Sequence, residues 1–182
     1  MKRFLIFLLK PLSFLPAILM VYVIFSFSSQ DGVTSGQLSY RVTKEIVTIG
    51  GEILGKGWEE WEIESQVEKY HFYVRKLGHM TEYFFLAVAI AFPLYVYGLR
   101  GFPLLLMAGL LCFGIASLDE YYQNHIAGRG PSKRDVLIDC IGAFFGIIVV
   151  RIICWTALSG SRRRARIAKR QIKKKSSSYE QW

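Results

Sequence analysis

Four long runs of apolar residues, at about 12–27, 77–97, 102–118 and 136–150, are separated by stretches in which polar residues dominate. Within each run the apolar side chains are nearly continuous. They neither alternate as on a half-buried strand nor keep to one stripe as on a surface helix. A helix of ~17–20 such residues rises about 1.5 Å per residue and crosses the ~30 Å hydrocarbon layer of a bilayer. The pattern therefore predicts an all-α, polytopic membrane protein with four transmembrane helices. Flanking residues extend the fourth to about 134–155, with Trp155 placed for the interface. A basic start followed by an apolar run also resembles a signal peptide. Here the run ends in Phe27-Ser28-Ser29-Gln30 with no small-x-small cleavage site, which favours an uncleaved anchor.

The insertion at 28–76 is polar but patterned. Trp58, Trp61, Val67, Tyr70, Val74 and Leu77 recur at helical spacing, so an amphipathic helix is expected from about Glu59 straight into the second span. A weaker helix is expected over Gln37–Ile49, with Leu38, Val42, Ile46 and Ile49 on one face. Gly50, Gly51, Gly55 and Gly57 should break the chain between the two.

Composition strengthens the membrane reading. With 182 residues, 52% of them hydrophobic, and a mean hydropathy of +0.29, an ordinary soluble enzyme is nearly excluded. Cys112, Cys140 and Cys154 all fall in apolar runs and read as packing residues. The net charge of +9 is unevenly placed: from Ser161 to Trp182, nine Lys or Arg stand against Glu180. With four crossings, Lys2, Arg3, Lys10, Arg100 and this tail share one side, which the positive-inside bias makes the cytoplasm. Arg151 falls near the same side, its stem long enough to reach the headgroups. The expectation is a multi-pass membrane protein with both termini on the cytoplasmic side, divided into a membrane domain at 1–158 and a basic tail at 159–182. The tail suits anionic lipid headgroups better than nucleic acid, since topology alone accounts for a basic cluster there. A homo-oligomer remains open.

Ionisable residues in or beside the spans carry the most information, because each costs a few kcal/mol at mid-bilayer unless paired or wet. His79 and Glu82 share a face near the start of the second span. Asp119, Glu120 and Gln123 close the third span, and Asp135 and Asp139 lie four apart at the start of the fourth. Four crossings bring all of them to one membrane surface, the outer one. The loop Gly128-Arg129-Gly130-Pro131-Ser132-Lys133-Arg134-Asp135 adds an arginine between glycines beside a helix start, chemistry that suits a phosphate. Blander readings stand beside this one. Ser132 and Asp135 have capping-box spacing. His79 and Glu82 can be a polar pair joining helices, members of a metal site with the aspartates, or groups for acid/base chemistry. Asp119 and Glu120 at a helix C-terminus call for an internal partner such as Arg129 or Arg75. His71 and His125 default to solvated side chains. Gly109, Gly114 and Ala116, and Gly142 with Gly146, hint at close helix packing, with Gly142 expected to face another helix.

Phe27-Ser28-Ser29-Gln30, Arg75-Lys76-Leu77-Gly78-His79-Met80-Thr81-Glu82-Tyr83, Asp119-Glu120-Tyr121-Tyr122-Gln123, and Gly128-Arg129 followed by Arg134-Asp135-Val136-Leu137-Ile138-Asp139 and Gly142 together resemble the VanZ-like membrane protein family. The departures are a longer polar insertion after the first motif, Ala127 where the family has proline, and Asp139 where many members carry asparagine. The resemblance implies a small polytopic protein of the bacterial cell envelope, similar to an accessory factor in teicoplanin resistance. It implies no established reaction, cofactor or metal. It adds Lys76, Tyr83 and Arg129 to the residues above. Two functions follow as expectations. One is an accessory protein binding an envelope component such as a lipid-linked wall precursor, with Lys76, Tyr83, Gln123, Arg129 and Asp135 as binding candidates. The other is a membrane enzyme acting on such a lipid, with His79, Glu82, Asp119, Glu120 and Asp139 as catalytic candidates.

Overall fold

The structure is a computed structural model that describes residues 11–130 and 132–179, with side chains through Thr156. Lys2, Arg3, Lys10 and the basic side chains of the tail lie outside the described residues. Among the described residues every element is helical. A single 3-10 turn, Pro11–Phe14, leads into α1 (Leu15–Ser28). Asp31 then caps α2 (Gly32–Ile53), accepting the Thr34 amide at 2.7 Å and its hydroxyl at 2.8 Å. Glu59 and Glu62 form a capping box at the start of α3 (Glu60–Val96), in which Glu62 accepts the Glu59 amide at 2.9 Å. Phe102–Gln123 forms α4 and Lys133–Tyr179 forms α5.

Four segments, Pro11–Ser28, Glu60–Val96, Phe102–Gln123 and Lys133–Thr156, are long and apolar enough to cross a membrane. They contain the four expected spans. The helices overrun the apolar runs where polar residues continue the turn geometry. The third extends through Asp119–Gln123, and the second begins seventeen residues early, as the amphipathic pattern from Glu59 required.

Helix α3 is the central element, touching α1, α2, α4 and α5, most extensively α5. The buried core is rich in small residues: Ala87, Ala91, Ala108, Ala116 and Ala143 are fully or almost fully enclosed, with Ile24, Leu86, Leu104 and Ile147 between them. Cys112 and Cys154 belong to this core as packing residues. At Gly142 a methyl group would run into the Met80 carbonyl oxygen, and at Gly146 into that of Phe84 while also meeting Ala87 Cβ at 3.0 Å. Only glycine permits this backbone-to-backbone approach, so Gly142 faces α3 as its spacing suggested. Gly109 and Gly114 differ. Both open onto empty space, and the buried face of α4 is instead Leu104, Ala108, Cys112 and Ala116. An apolar run on its own does not tell which small residue meets protein and which meets lipid.

The insertion folds into a helical hairpin, α2 lying against the half of α3 that precedes Leu77. Its packing face is not the expected one. Leu38, Val42, Ile46 and Ile49 remain about half exposed, whereas Thr43, Val47 and Gly51 are buried, Gly51 against the Trp58 ring. Small side chains bring α2 close to α3, while Ile46 and Ile49 stay outward and Leu38 and Val42 border a cavity between the helices. His71 is likewise not solvated. Its Nε2 lies 3.0 Å from Ser39 Oγ and 3.3 Å from the Gly36 carbonyl oxygen, and Tyr40 meets its ring edge-on. His125 is exposed as expected. On α3, Val67 is buried and Val74 half-buried, while Trp61, Tyr70 and Leu77 point outward. Lys44 pairs with Glu60 across the hairpin.

Candidate functional site

The hairpin end of the bundle gathers every polar residue that the sequence singled out. Helix α3 contributes Lys76, His79, Glu82 and Tyr83, the last turn of α4 contributes Asp119, Glu120 and Gln123, the first turns of α5 contribute Asp135 and Asp139, and the α4–α5 loop contributes Arg129. A backbone clasp sets the position of the loop: the Gly32 amide donates to the Ala127 carbonyl at 3.0 Å. Gly32 lies so near Gly128 that a Cβ would strike the Gly128 carbonyl, and Gly128 itself has φ +73°. The start of α2 and the arginine loop are thereby joined, and the Arg129 guanidinium donates Nη2–H to the Phe27 carbonyl oxygen near the end of α1 at 3.3 Å.

Several of the charges are satisfied within the protein. Gln123 Nε2 donates to Asp119 Oδ2 at 3.0 Å and to Ser28 Oγ at 3.1 Å, all three residues being buried. The Ser132 amide donates to Glu120 Oε1. Lys76 pairs with Asp135, both about one-fifth exposed. Asp135 sits in the first turn of α5 as its spacing suggested, its N–H bonded to the Ser132 carbonyl at 2.9 Å, and its carboxylate also serves Lys76. The expected ion pairs of Asp119 and Glu120 with Arg129 or Arg75 do not form among the described residues. A side-chain amide and a backbone N–H take their place.

Other groups are left open. Tyr83 is fully buried and its hydroxyl has no hydrogen-bond partner, as is true of Asp119 Oδ1 and Asp139 Oδ1. Arg129 Nε and Nη1 are buried and unpartnered. Burial first, and then the charge of Arg75, pulls the Arg129 guanidinium down from its ordinary pKa, although an arginine stays cationic throughout the working range. Two guanidiniums thus repel one another at this point.

A cavity of about 230 Å³ opens at this point. Its polar wall is Arg75, His79, Glu82 and Arg129, and its apolar wall is Phe27, Leu38, Val42 and Val74. His79 Nδ1 and Glu82 Oε2 stand 3.9 Å apart within it. Of the candidates, His79, Glu82 and Arg129 line the cavity. Lys76, Tyr83, Asp119, Glu120, Gln123, Asp135 and Asp139 surround it without reaching its wall. Among the described residues no three His, Cys, Asp or Glu converge closely enough to hold a metal ion. The sequence reading missed the wall supplied by α2, and it placed Arg75 only as a partner for the acids. The spacing of Leu38 and Val42 marks a face without telling that the face borders a cavity.

A family model described as VanZ/LLP1 matches residues 13–154, from the turn before α1 through nearly all of the fourth span. No curated protein and no solved structure matches the chain. With most of its length matched, and with the matched region holding the whole polar cluster and its cavity, the chain belongs to the VanZ/LLP1 family of multi-pass membrane proteins.

Proposed function

We propose that this VanZ-family protein is an accessory component of the bacterial cell envelope whose cavity binds the phosphate of a lipid-linked wall precursor at the outer membrane face. The observation that carries this reading is Arg129, whose Nε and Nη1 are buried, unpartnered and charged beside Arg75 in a cavity that also has an apolar wall. A phosphate oxygen accepts from two guanidinium N–H groups at once and relieves the repulsion between two arginines. The apolar wall of Phe27, Leu38, Val42 and Val74 suits the start of a lipid chain. Orientation rests on charge: Arg100 and the basic tail favour a cytoplasmic placement, which puts the hairpin outside, in the bacterial cytoplasmic membrane with both termini inside. A part in glycopeptide resistance, teicoplanin included, rests on family membership.

The test uses polyprenyl phosphate as probe. Native mass spectrometry of gently purified protein should show one bound molecule on wild type and none on folded Arg129→Ala. Equal retention by both would refute the site. A second reading, an enzyme acting on the same lipid, draws on the His79–Glu82 pair facing the cavity at 3.9 Å. It requires turnover of the bound lipid that vanishes in His79→Ala while binding and melting temperature persist.

A further inference from the structure

The opposite end of the bundle has a different chemistry. Of the chain's 14 acidic residues, all but Glu180 lie between Asp31 and Asp139. Arg100, in the α3–α4 turn, and Arg151, on α5, therefore meet no carboxylate within ion-pair distance among the described residues. Both line one cavity of about 550 Å³, together with Tyr95, Gly101, Ile148, Ile152 and Trp155. Arg100 rests over the Tyr95 ring at 5.3 Å, which holds its guanidinium at the cavity wall.

A second, wholly apolar cavity of about 390 Å³ begins next to the first. Where the first is lined by Gly101 and Ile148, the second is lined by Phe102 and Ile147, and it runs between α4 and α5 past Leu106 and Phe113 to Cys140. Phe102 to Phe113 is a rise of about 16 Å along α4. Gly109 lies on its wall, and a Cβ there would meet nothing within 4 Å. A doubly cationic pocket edged by Trp and Tyr, with an apolar groove along α4 and α5 lined by residues adjacent in sequence to its own, matches the charge and polarity of one amphiphile.

We propose that this end binds an anionic phospholipid as a structural ligand, its phosphate between Arg100 and Arg151 and one acyl chain in the α4–α5 slot over Gly109. Charge selects the class. Two unpaired guanidiniums favour a lipid with net negative charge over a zwitterionic one, whose amine would be brought beside two cations. Under the orientation proposed above the lipid belongs to the cytoplasmic leaflet. Binding in detergent does not depend on that orientation, so the site and the topology stand or fall separately. The basic side chains of the tail are not needed for this contact.

The experiment compares full-length wild type, the double variant R100Q/R151Q, Gly109→Leu, and a tail variant R162Q/R163Q/R164Q, each delipidated in mild detergent and reloaded with phosphatidylglycerol or phosphatidylethanolamine. Native mass spectrometry reads the adducts, and a thermal melt with and without lipid reads the coupling. Wild type should retain a single phosphatidylglycerol about tenfold better than phosphatidylethanolamine, as expected for two charge contacts near a membrane surface. R100Q/R151Q should lose that preference, and the tail variant should keep it. Gly109→Leu fills open space and keeps both arginines, so it should fold normally yet bind phosphatidylglycerol more weakly; this variant decides the matter if the double variant proves unstable. Wild-type binding without headgroup preference, undiminished binding by Gly109→Leu, or a loss that follows the tail variant alone would each overturn the proposal.

Discussion

Two neighbouring stretches of α5 meet α3 in opposite ways. At Gly142 and Gly146 the two backbones touch, with no room for even a methyl group. One to two turns earlier, at Asp139 and Asp135, the contact is polar and incompletely satisfied, leaving Asp139 Oδ1 and the Tyr83 hydroxyl without partners. In a bilayer there is no hydrophobic force between helices, so close packing of small residues is the principal source of their association. The glycine contact holds the bundle together. The polar contact above it keeps open groups that a self-sufficient structural cluster would have closed, which fits a site shaped for something else.

Substitutions can break or sharpen this contrast. The largest effect is expected from Gly142→Leu, which forces α3 and α5 apart; a loss of about 3 kcal/mol or more, read as collapse of detergent stability and abundance, follows from overpacking against rigid backbone. Lys76→Met comes next, since it leaves Asp135 without its partner at a largely buried position. About 1–3 kcal/mol is expected in a chemical or thermal melt, and Lys76→Met/Asp135→Leu should recover most of it. Asp139→Asn replaces a buried carboxyl whose Oδ1 has no partner and should change stability by less than about 1 kcal/mol. A greater loss there than at Gly142 would reverse the contrast. The smallest effect belongs to Asp31, whose carboxylate the Thr34 amide and hydroxyl hold below its ordinary pKa. A carboxylate lowered in the folded state adds stability above its unfolded value of 3.8 that fades as the pH falls through the folded value. Asp31→Ala should therefore melt slightly lower at neutral pH, and the gap should close in acid.

Much of this architecture was legible because the bilayer imposes a demand that no other solvent does. Uninterrupted apolar runs located all four spans, and ionisable residues at their ends announced where the polar cluster would form. The direction in which each helix faces was harder to read. Leu38, Val42, Ile46 and Ile49 make a regular stripe, yet α2 packs through Thr43, Val47 and Gly51, because small side chains allow the closer approach. Gly109 and Gly142 look alike in sequence and differ entirely in what lies opposite them. Pairings across long separations, such as Lys76 with Asp135 or Ser132 with Glu120, depend on the relative heights of three helices, which no local pattern records. The cavity wall on α2 was invisible for the same reason.

Helix α3 runs unbroken for 37 residues, about 55 Å. Its tight seat on Gly142 and Gly146 lies at Met80 and Phe84, on the same stretch of helix that carries His79 and Glu82. The helix is therefore a lever, with its fulcrum in the membrane and its long arm, braced by α2, reaching about 30 Å to Glu60. Sideways force on the hairpin tip would be delivered as torque at the glycine seat, beside the cavity.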